Sequence, residues 1–154
     1  EQTDTVAFVA NFVEDAELLA TSKGLSFDVG CNEKGSASID TKWIKQVLYN
    51  LLSNALKWSP RQGVISLESR HINGHWSLRI KDEGPGVPKQ ELEVITRRFS
   101  RASTPGPAGA EQVGIGLGLA ICKSLLHLHE GTLSCHNRKD SRGFEVEFQI
   151  PAHS

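Results

Sequence analysis

Three polar residues that could bind a metal-bound phosphate recur along one predicted helix. Asn50, Asn54 and Lys57 are spaced at i, i+4 and i+7, so they form one stripe at the edge of that helix's apolar face. An amide oxygen can complete the octahedral shell of Mg²⁺ beside water and phosphate oxygens, and a lysine ammonium can neutralise phosphate charge. A solvated polar edge explains the same spacing equally well, so these residues alone leave both interpretations open.

An aspartate stands where a predicted strand gives way to a glycine-rich turn. Asp82 follows Ile80-Lys81 and precedes Glu83-Gly84-Pro85-Gly86-Val87-Pro88. Its carboxylate could accept a hydrogen bond from the amino group at C6 of adenine, whereas it would repel the carbonyl at C6 of guanine. The two glycines would let a flat ligand approach the main chain. An ordinary Asp-Gly-Pro-Gly turn is the alternative, and on these residues alone it is the better explanation.

A run of alternating glycines opens a predicted helix further along the chain. Gly114-Ile115-Gly116-Leu117-Gly118-Leu119 would present main-chain N–H groups to an anion such as phosphate. The G-x-x-x-x-G-K-[ST] loop is absent from the sequence, and a dinucleotide fingerprint would need a strand directly before the glycines. Glycines that permit close helix packing explain the run equally well. Arg98 and Arg101, before a predicted mobile loop from Ser103 to Gly114, could meet phosphates or remain solvated charges.

The elements that must position these residues are predicted from periodicity. Apolar residues at helical spacing indicate helices, and alternation indicates strands. Asp40 is the predicted N-cap of the second helix, and Asn73-Gly74 is a hairpin turn signal. The predicted helices span 6–20, 43–58, 91–98 and 117–130, and the predicted strands span 25–29, 64–69, 76–80, 132–136 and 144–150. This order predicts a two-layer α/β sandwich of the α+β class, in which helices cover one face of a mixed, mainly antiparallel sheet.

Length and composition predict one globular domain over residues 1–154. Hydrophobic residues make up 38% and charged residues 23%, and the net charge of −1 favours neither nucleic acid nor an anionic membrane as partner. The three cysteines lack C-x-x-C spacing, so the sequence indicates neither a disulfide framework nor a zinc site. No apolar run reaches the length of a bilayer span. We therefore expect a cytoplasmic domain, whose parent protein could still be anchored in a membrane.

The order and spacing of the motifs closely resemble those of sensor histidine kinases. Asn-Leu-Leu-Ser-Asn-Ala-Leu-Lys-Trp-Ser-Pro at 50–60 resembles the N box of that family, and 82–88 resembles its first glycine box. Arg98-Phe99-Ser100-Arg101 is similar to its phenylalanine box, and Gly114 to Leu119 to its second glycine box. The resemblance covers nearly the whole chain. It implies the Bergerat ATP-binding fold shared with gyrases, heat-shock chaperones and mismatch-repair ATPases.

The resemblance implies a site for ATP and Mg²⁺. Asn54 would hold Mg²⁺, Asp82 would bind the adenine amino group, and Lys57 would meet phosphate. Phe99 would couple a lid to the core. The implied catalytic residues are Asn50, Lys57 and Arg101. The implied nucleotide-binding residues are Asn50, Asn54, Lys57, Trp58, Asp82, Gly84, Gly86, Val87, Arg98, Phe99, Arg101, Gly114, Ile115, Gly116, Leu117, Gly118 and Leu119.

One position bears on the reaction that the resemblance implies. Hydrolysing relatives carry a glutamate four residues before the magnesium asparagine, whereas this chain has Asn50, and an amide cannot act as a general base. A histidine acceptor suits this absence, because a neutral imidazole with a pKa of about 6.5 already offers a lone pair. The implied function is transfer of the γ-phosphoryl group of Mg-ATP to a histidine. Two alternatives stay open: a nucleotide-binding interaction module without phosphotransfer, and a gyrase-like ATPase.

Four positions depart from the family pattern. Trp58 replaces Phe or Tyr, Glu83 replaces Asn, Ile115 replaces Thr, Ser or His, and Phe144 after Gly143 replaces Thr. These departures bear on nucleotide affinity more than on the fold.

The sequence carries no recognisable acceptor histidine. His71, His75, His127, His129, His136 and His153 all lack the His-Asp/Glu-x-Arg/Lys-x-Pro setting, and we expect them to be structural or surface residues. The acceptor would belong to a separate dimerisation domain of the parent chain, with a cognate response regulator as the next partner. We expect this chain alone to be a monomer and its parent to be a homodimer.

Overall fold

The computed structural model describes residues 1–84, 114–138 and 143–152, apart from the side chains of Trp58 and of residues 114–120. Seven strands and three helices follow one another in these ranges. They are β1 (Gln2–Asp4), α1 (Thr5–Ser22), β2 (Ser26–Asn32), β3 (Ser36–Ser38), α2 (Thr41–Trp58), β4 (Val64–Ile72), β5 (His75–Lys81), α3 (Gly114–Leu128), β6 (Thr132–Asn137) and β7 (Phe144–Pro151).

The main sheet has five strands in the order β2-β4-β5-β7-β6. Only the pair of β2 and β4 is parallel, and each of the other three pairs is antiparallel. This confirms the predicted mixed, mainly antiparallel sheet. A second sheet, in which β1 pairs with β3, was not predicted, because strands of three residues are too short to show alternation.

One face of the main sheet is apolar and carries the helices, while the other is charged. Inward residues alternate along β5 and β7 with outward residues such as Arg79, Lys81 and Glu147. Burying the inward set is the main stabilising contribution, at roughly 25 cal/mol per Å² of apolar surface. The core includes Phe12, Ile44, Val47, Leu48, Leu51, Ile65, Leu67, Trp76, Leu78, Ile80, Cys122, Leu126, Val146, Phe148 and Ile150.

The element ends follow local chemistry. Asp40 caps α2 as predicted, accepting hydrogen bonds from the main-chain N–H groups of Lys42 and Trp43, so the helix begins at Thr41, two residues before its first apolar residue. The Asn73-Gly74 turn is confirmed, with φ of 52° and 75°, the left-handed pair that a tight hairpin requires.

The third helix differs from its predicted bounds at both ends. It begins at Gly114, not Leu117, and ends at Leu128, because Glu130 adopts a left-handed φ of 59° before Gly131. Gly114 therefore belongs to the helix and not to the predicted loop. The rest of that loop and the predicted helix at 91–98 lie outside the described residues.

Helices α2 and α3 run antiparallel to each other. The Nε2 atom of His129 lies 3.0 Å from the main-chain nitrogen of Asp40, at the start of α2, and the Cys122 thiol lies 3.8 Å from the Val47 carbonyl. The first turns of α3 therefore point toward the half of α2 that carries Asn54. Among the described helices, none is long and apolar enough to span a membrane.

Candidate nucleotide site

The described part of the predicted site, Asp82 and the polar stripe of α2, lies toward one end of the sheet. Strand β4 begins at Val64, shortly after α2 ends at Trp58, and Ser66 of β4 pairs with Lys81 at the end of β5. The Glu83 carboxylate accepts a 2.8 Å hydrogen bond from the main-chain N–H of Val64. The carboxyl end of β5, the C-terminal half of α2 and the first turns of α3 thus lie together.

Asp82 is held in place at this end by burial and by main-chain hydrogen bonds. Its side chain is buried, with 5% of the residue exposed, and its Oδ1 atom accepts hydrogen bonds from two main-chain N–H groups. These come from Gly84 at 2.8 Å and from Phe144 of β7 at 3.2 Å. The bond to Gly84 makes an Asx turn.

Burial is the largest influence on the Asp82 carboxyl, and it raises the pKa of that group. The hydrogen bonds from Gly84 and Phe144 and the positive charge of Arg138 act in the opposite direction on the pKa. Burying this carboxylate costs desolvation energy. The surrounding donors offset part of that cost because they favour the charged form. Perturbed acids of this kind cluster at functional sites.

Asn54 fits the role of a polar ligand. Its Nδ2 atom is buried and lacks a hydrogen-bond partner among the described residues, an arrangement that costs about 1–3 kcal/mol. An amide oxygen at this position suits a hard cation such as Mg²⁺ together with phosphate oxygens. Asn50, one turn earlier, accepts a 3.5 Å hydrogen bond from Gln46 and lies beside the Cys122 thiol of α3, so it sits between the two helices. Lys57 is exposed in the last turn of α2.

The family described as "Histidine kinase-, DNA gyrase B-, and HSP90-like ATPase" matches residues 39–154. The chain belongs to this family. That range includes every residue of the candidate site, from the α2 stripe to strand β7. It also includes four of the five strands of the main sheet, since β2 precedes residue 39.

Two similar proteins align with most of this chain. Sensor histidine kinase YvrG of Bacillus subtilis (strain 168) is 33% identical over 138 residues, which are 88% of this chain and 23% of that protein. Adaptive-response sensory kinase SasA of Synechococcus sp. (strain CC9311) is 40% identical over 114 residues, which are 73% of this chain and 28% of that protein. The chain therefore spans about a quarter of the length of these two relatives.

Solved structures give the same fold. The mycobacterial sensor histidine kinase MprB superimposes with a TM-score of 0.75 at 29% identity, covering 99% of this chain and 97% of that chain. The catalytic domain of histidine kinase ThkA gives a TM-score of 0.78 at 25% identity, covering 99% of this chain and 95% of that chain.

Several expected site residues lie outside what the structure describes. These are Gly86, Val87, Arg98, Phe99 and Arg101, together with the side chains of Trp58 and of the run from Gly114 to Leu119. The main chain of that run forms the first turns of α3, which confirms that it opens a helix. The roles proposed for these residues remain predictions.

Sequence reasoning missed three residues that hold the site together. Arg138, Gly143 and Phe144 surround Asp82, although the sequence marked Gly143 and Phe144 only as a departure from the family pattern. A glycine directly before a strand was the available signal, because it often marks a close approach of two main chains. Arg138 gave no signal, since its contact depends on how the hairpin of β6 and β7 folds back.

Four of the histidines have structural partners. The His71 ring contacts the Thr5 hydroxyl and His75 contacts the carbonyl of Asn73. His129 joins α2 and α3, and His136 lies 3.3 Å from Glu145. This agrees with the prediction that these four are structural or surface residues. His127 is exposed, and His153 lies outside the described residues.

Proposed function

We propose that this domain binds Mg-ATP and that Asp82 recognises the adenine amino group. The observation that carries the proposal is the buried Asp82 carboxylate, whose Oδ1 atom is held by the N–H groups of Gly84 and Phe144. With one oxygen fixed by the main chain, Oδ2 is the acceptor for a ligand. A buried carboxylate recognises an amino group and disfavours a carbonyl, because two acceptors that face each other leave both unpaired.

The phosphate end of the nucleotide belongs to α2 and α3 in this proposal. Asn54 holds Mg²⁺, and Lys57 and Arg101 neutralise phosphate charge, while main-chain N–H groups at the start of α3 face the phosphates. When bound, Mg²⁺ withdraws charge from the phosphate oxygens during transfer. The buried, unpaired amide nitrogen of Asn54 supports a polar ligand beside this residue.

The reaction we propose is transfer of the γ-phosphoryl group to a histidine on a separate dimerisation domain. Asn50 supports this acceptor, because its amide accepts a hydrogen bond from Gln46 and offers no base to activate water or a serine hydroxyl. The names of the relatives, among them a sensor histidine kinase and an adaptive-response sensory kinase, agree with this reaction. The domain would act in the cytoplasm in two-component signalling, with a response regulator downstream and a homodimeric parent.

Nucleotide recognition is tested by Asp82→Asn. We expect ATP affinity to fall at least tenfold, while inosine triphosphate loses less or gains, because the asparagine amide can donate to a C6 carbonyl. The fold should persist, since Asn can still accept from Gly84 and Phe144 and since an ionised buried carboxylate costs stability at neutral pH. Titration calorimetry with both nucleotides measures this, and Asp28→Asn on the exposed part of β2 is the matched control. Unchanged ATP affinity would remove the adenine assignment.

Phosphotransfer is tested with the cognate acceptor hairpin and radiolabelled ATP. We expect wild type to label the acceptor histidine and Asn54→Ala to lose labelling by two orders of magnitude or more, while Asn11→Ala, an exposed change in α1, keeps it. If wild type binds ATP but never labels the acceptor, the domain is an interaction module. Brisk phosphate release by the domain alone would instead identify a gyrase-like ATPase.

A further inference from the structure

The hairpin formed by β6 and β7 holds Asp82 through its main chain. In a regular antiparallel pair, two facing residues exchange both of their N–H···O=C bonds. Here the Asp82 N–H donates to the Phe144 carbonyl at 3.0 Å, but the Phe144 N–H donates to the Asp82 carboxylate instead of the Asp82 carbonyl. The strand pairing therefore ends at these two residues, which form one of the two expected main-chain bonds and not the other.

The Arg138 side chain binds the Asp82 carbonyl, which the strand pairing leaves without its expected main-chain donor. Its Nη1 atom donates to the Asp82 carbonyl at 3.0 Å, while its main-chain N–H donates to the Gly143 carbonyl at 2.9 Å and closes the hairpin. The two bonds use different parts of Arg138, so substitution of the side chain removes the first bond and keeps the second.

Gly143 allows this arrangement. A Cβ atom at Gly143 would lie 1.9 Å from the Asp82 carbonyl oxygen and 2.9 Å from Cδ of Arg138, and its φ of 137° disfavours any L side chain. The main chain at Gly143 lies directly against the Asp82 carbonyl. The Arg138 guanidinium can therefore donate to this carbonyl, which the Phe144 N–H would bind in a regular strand pair.

We propose that Arg138 is a positioning residue of the nucleotide site. By binding the Asp82 carbonyl, it leaves the Phe144 N–H free to fix the carboxylate that recognises the base. This inference rests on the proposed function, in which Asp82 binds the adenine amino group. Arg138 touches neither nucleotide nor metal in this proposal, and it acts on the nucleotide through Asp82.

The charge of Arg138 gives the residue a second effect on the same carboxylate. Burial raises the pKa of Asp82, and the Arg138 charge counters that rise, so the carboxylate stays an acceptor to lower pH. The other described charged groups that neighbour Asp82 in sequence have partners of their own. Glu83 accepts from the Val64 N–H, and Lys81 pairs with Glu68.

On β7, Glu145 pairs with Arg79 on the outer face of the sheet. Lys57 of α2 is exposed. Among the charged groups of residues 1–84, 114–138 and 143–152, Arg138 is therefore the cation whose removal should change the charge state of Asp82.

The test compares Arg138→Gln, Arg138→Lys and Arg138→Ala with wild type. Affinities for ATP and inosine triphosphate are measured by calorimetry from pH 5.5 to 8.5, beside melting temperatures. For Arg138→Ala we expect about a tenfold loss of ATP affinity at pH 7.5 and a smaller preference for ATP over inosine triphosphate. The acidic pH at which ATP affinity falls should rise in Arg138→Gln and Arg138→Ala, and it should stay near the wild-type value in Arg138→Lys.

The matched control is Arg70→Ala, which removes an arginine that pairs with Glu33 and Glu68 on the outer face of the sheet. It should change neither the nucleotide preference nor the pH dependence. If wild type prefers ATP and the three Arg138 variants keep both its preference and its acidic limit, the inference about Arg138 is wrong and the proposed function stands. If wild type shows no preference for ATP, both the proposed adenine recognition and this inference are wrong.

Discussion

Two adjacent carboxylates, Asp82 and Glu83, serve different purposes in this fold. Asp82 points to the helix-covered side and is held by main-chain donors, whereas Glu83 reaches sideways to the Val64 N–H. The sequence identified Asp82 through its turn but presented Glu83 as a departure that bears on nucleotide affinity. The structure gives Glu83 a role within the fold, which depends on a main-chain donor that is distant in sequence and therefore invisible to motif reasoning.

The role of Glu83 leads to a stability prediction. We expect Glu83→Ala to lower the free energy of unfolding by about 1–2 kcal/mol, because the Val64 N–H loses its partner. ATP affinity should stay within about twofold of wild type. Urea titrations and calorimetry measure the two quantities, and Glu83→Gln, which keeps an acceptor oxygen, should lie near wild type in both. A large loss of ATP affinity with unchanged stability would place Glu83 in the nucleotide site instead.

Cys122 leads to a prediction about alkaline pH. It is fully buried between α2 and α3, and burial raises the pKa of its thiol from 9.0 to about 12. The unfolded chain releases this proton from about pH 9 while the folded chain keeps it, so this thiol lowers the free energy of unfolding by about 1.4 kcal/mol per pH unit above that point.

A comparison of wild type with Cys122→Ala isolates that effect, because all other titrating groups are shared. The variant should be less stable at pH 8, where it loses only packing, and the difference should narrow steadily between pH 9 and pH 11. Urea titrations at four pH values measure it. A constant difference across this range would show that the thiol ionises normally in the folded protein.

At the scale of elements, the antiparallel contact of α2 and α3 brings the site together. His129 fastens one end of this pair, because its Nε2 atom accepts from the Asp40 N–H while its Nδ1 atom lies 2.9 Å from the Leu125 carbonyl. Cys122 and Asn50 meet further along. The sequence predicted both helices from periodicity, and α2 also from its cap. It could not predict their mutual direction, which depends on contacts between residues far apart in sequence, such as His129 and Asp40, 89 positions apart.

The His129 contact predicts a measurable contribution to stability. We expect His129→Ala to lower the free energy of unfolding by about 1–2 kcal/mol at pH 7.5, since the Asp40 N–H and the Leu125 carbonyl both lose a partner. His127→Ala is the matched control, because His127 is exposed in the last turn of the same helix, and it should change stability by less than about 0.5 kcal/mol. Equal effects of the two changes would contradict the interhelical role of His129.

For the whole molecule, the sheet order places one parallel strand at an edge. Among the described strands, β2 pairs with β4 alone, which follows it in the chain after β3 and α2, while β5 lies between β4 and β7. Element types and the mixed sheet were predictable, because alternation and helical spacing are local signals. The strand order, the small sheet of β1 and β3, and the placement of Arg138 beside Asp82 were not, because each depends on pairing between distant segments.

This order predicts unequal protection of the strands from hydrogen exchange. Amides of β5 should exchange slowest, at the rate set by global unfolding, since both edges of that strand are paired and its inward side chains are buried. Amides of β2 should exchange at least about tenfold faster through local opening. Mass spectrometry of peptides from native-state exchange measures this, and equal protection of β2 and β5 would contradict it.

The close contact between Gly143 and the Asp82 carbonyl also limits which residues can replace this glycine during evolution. Any side chain at 143 would collide with a main-chain oxygen, so descendants of the gene that still use the site should keep a glycine codon there. Gly74, at the tip of the other hairpin, has a φ of 75° but open space around it, and asparagine or aspartate could replace it over time. When a library of variants at both positions is selected for ATP binding, we therefore expect only glycine at position 143 and several different residues at position 74.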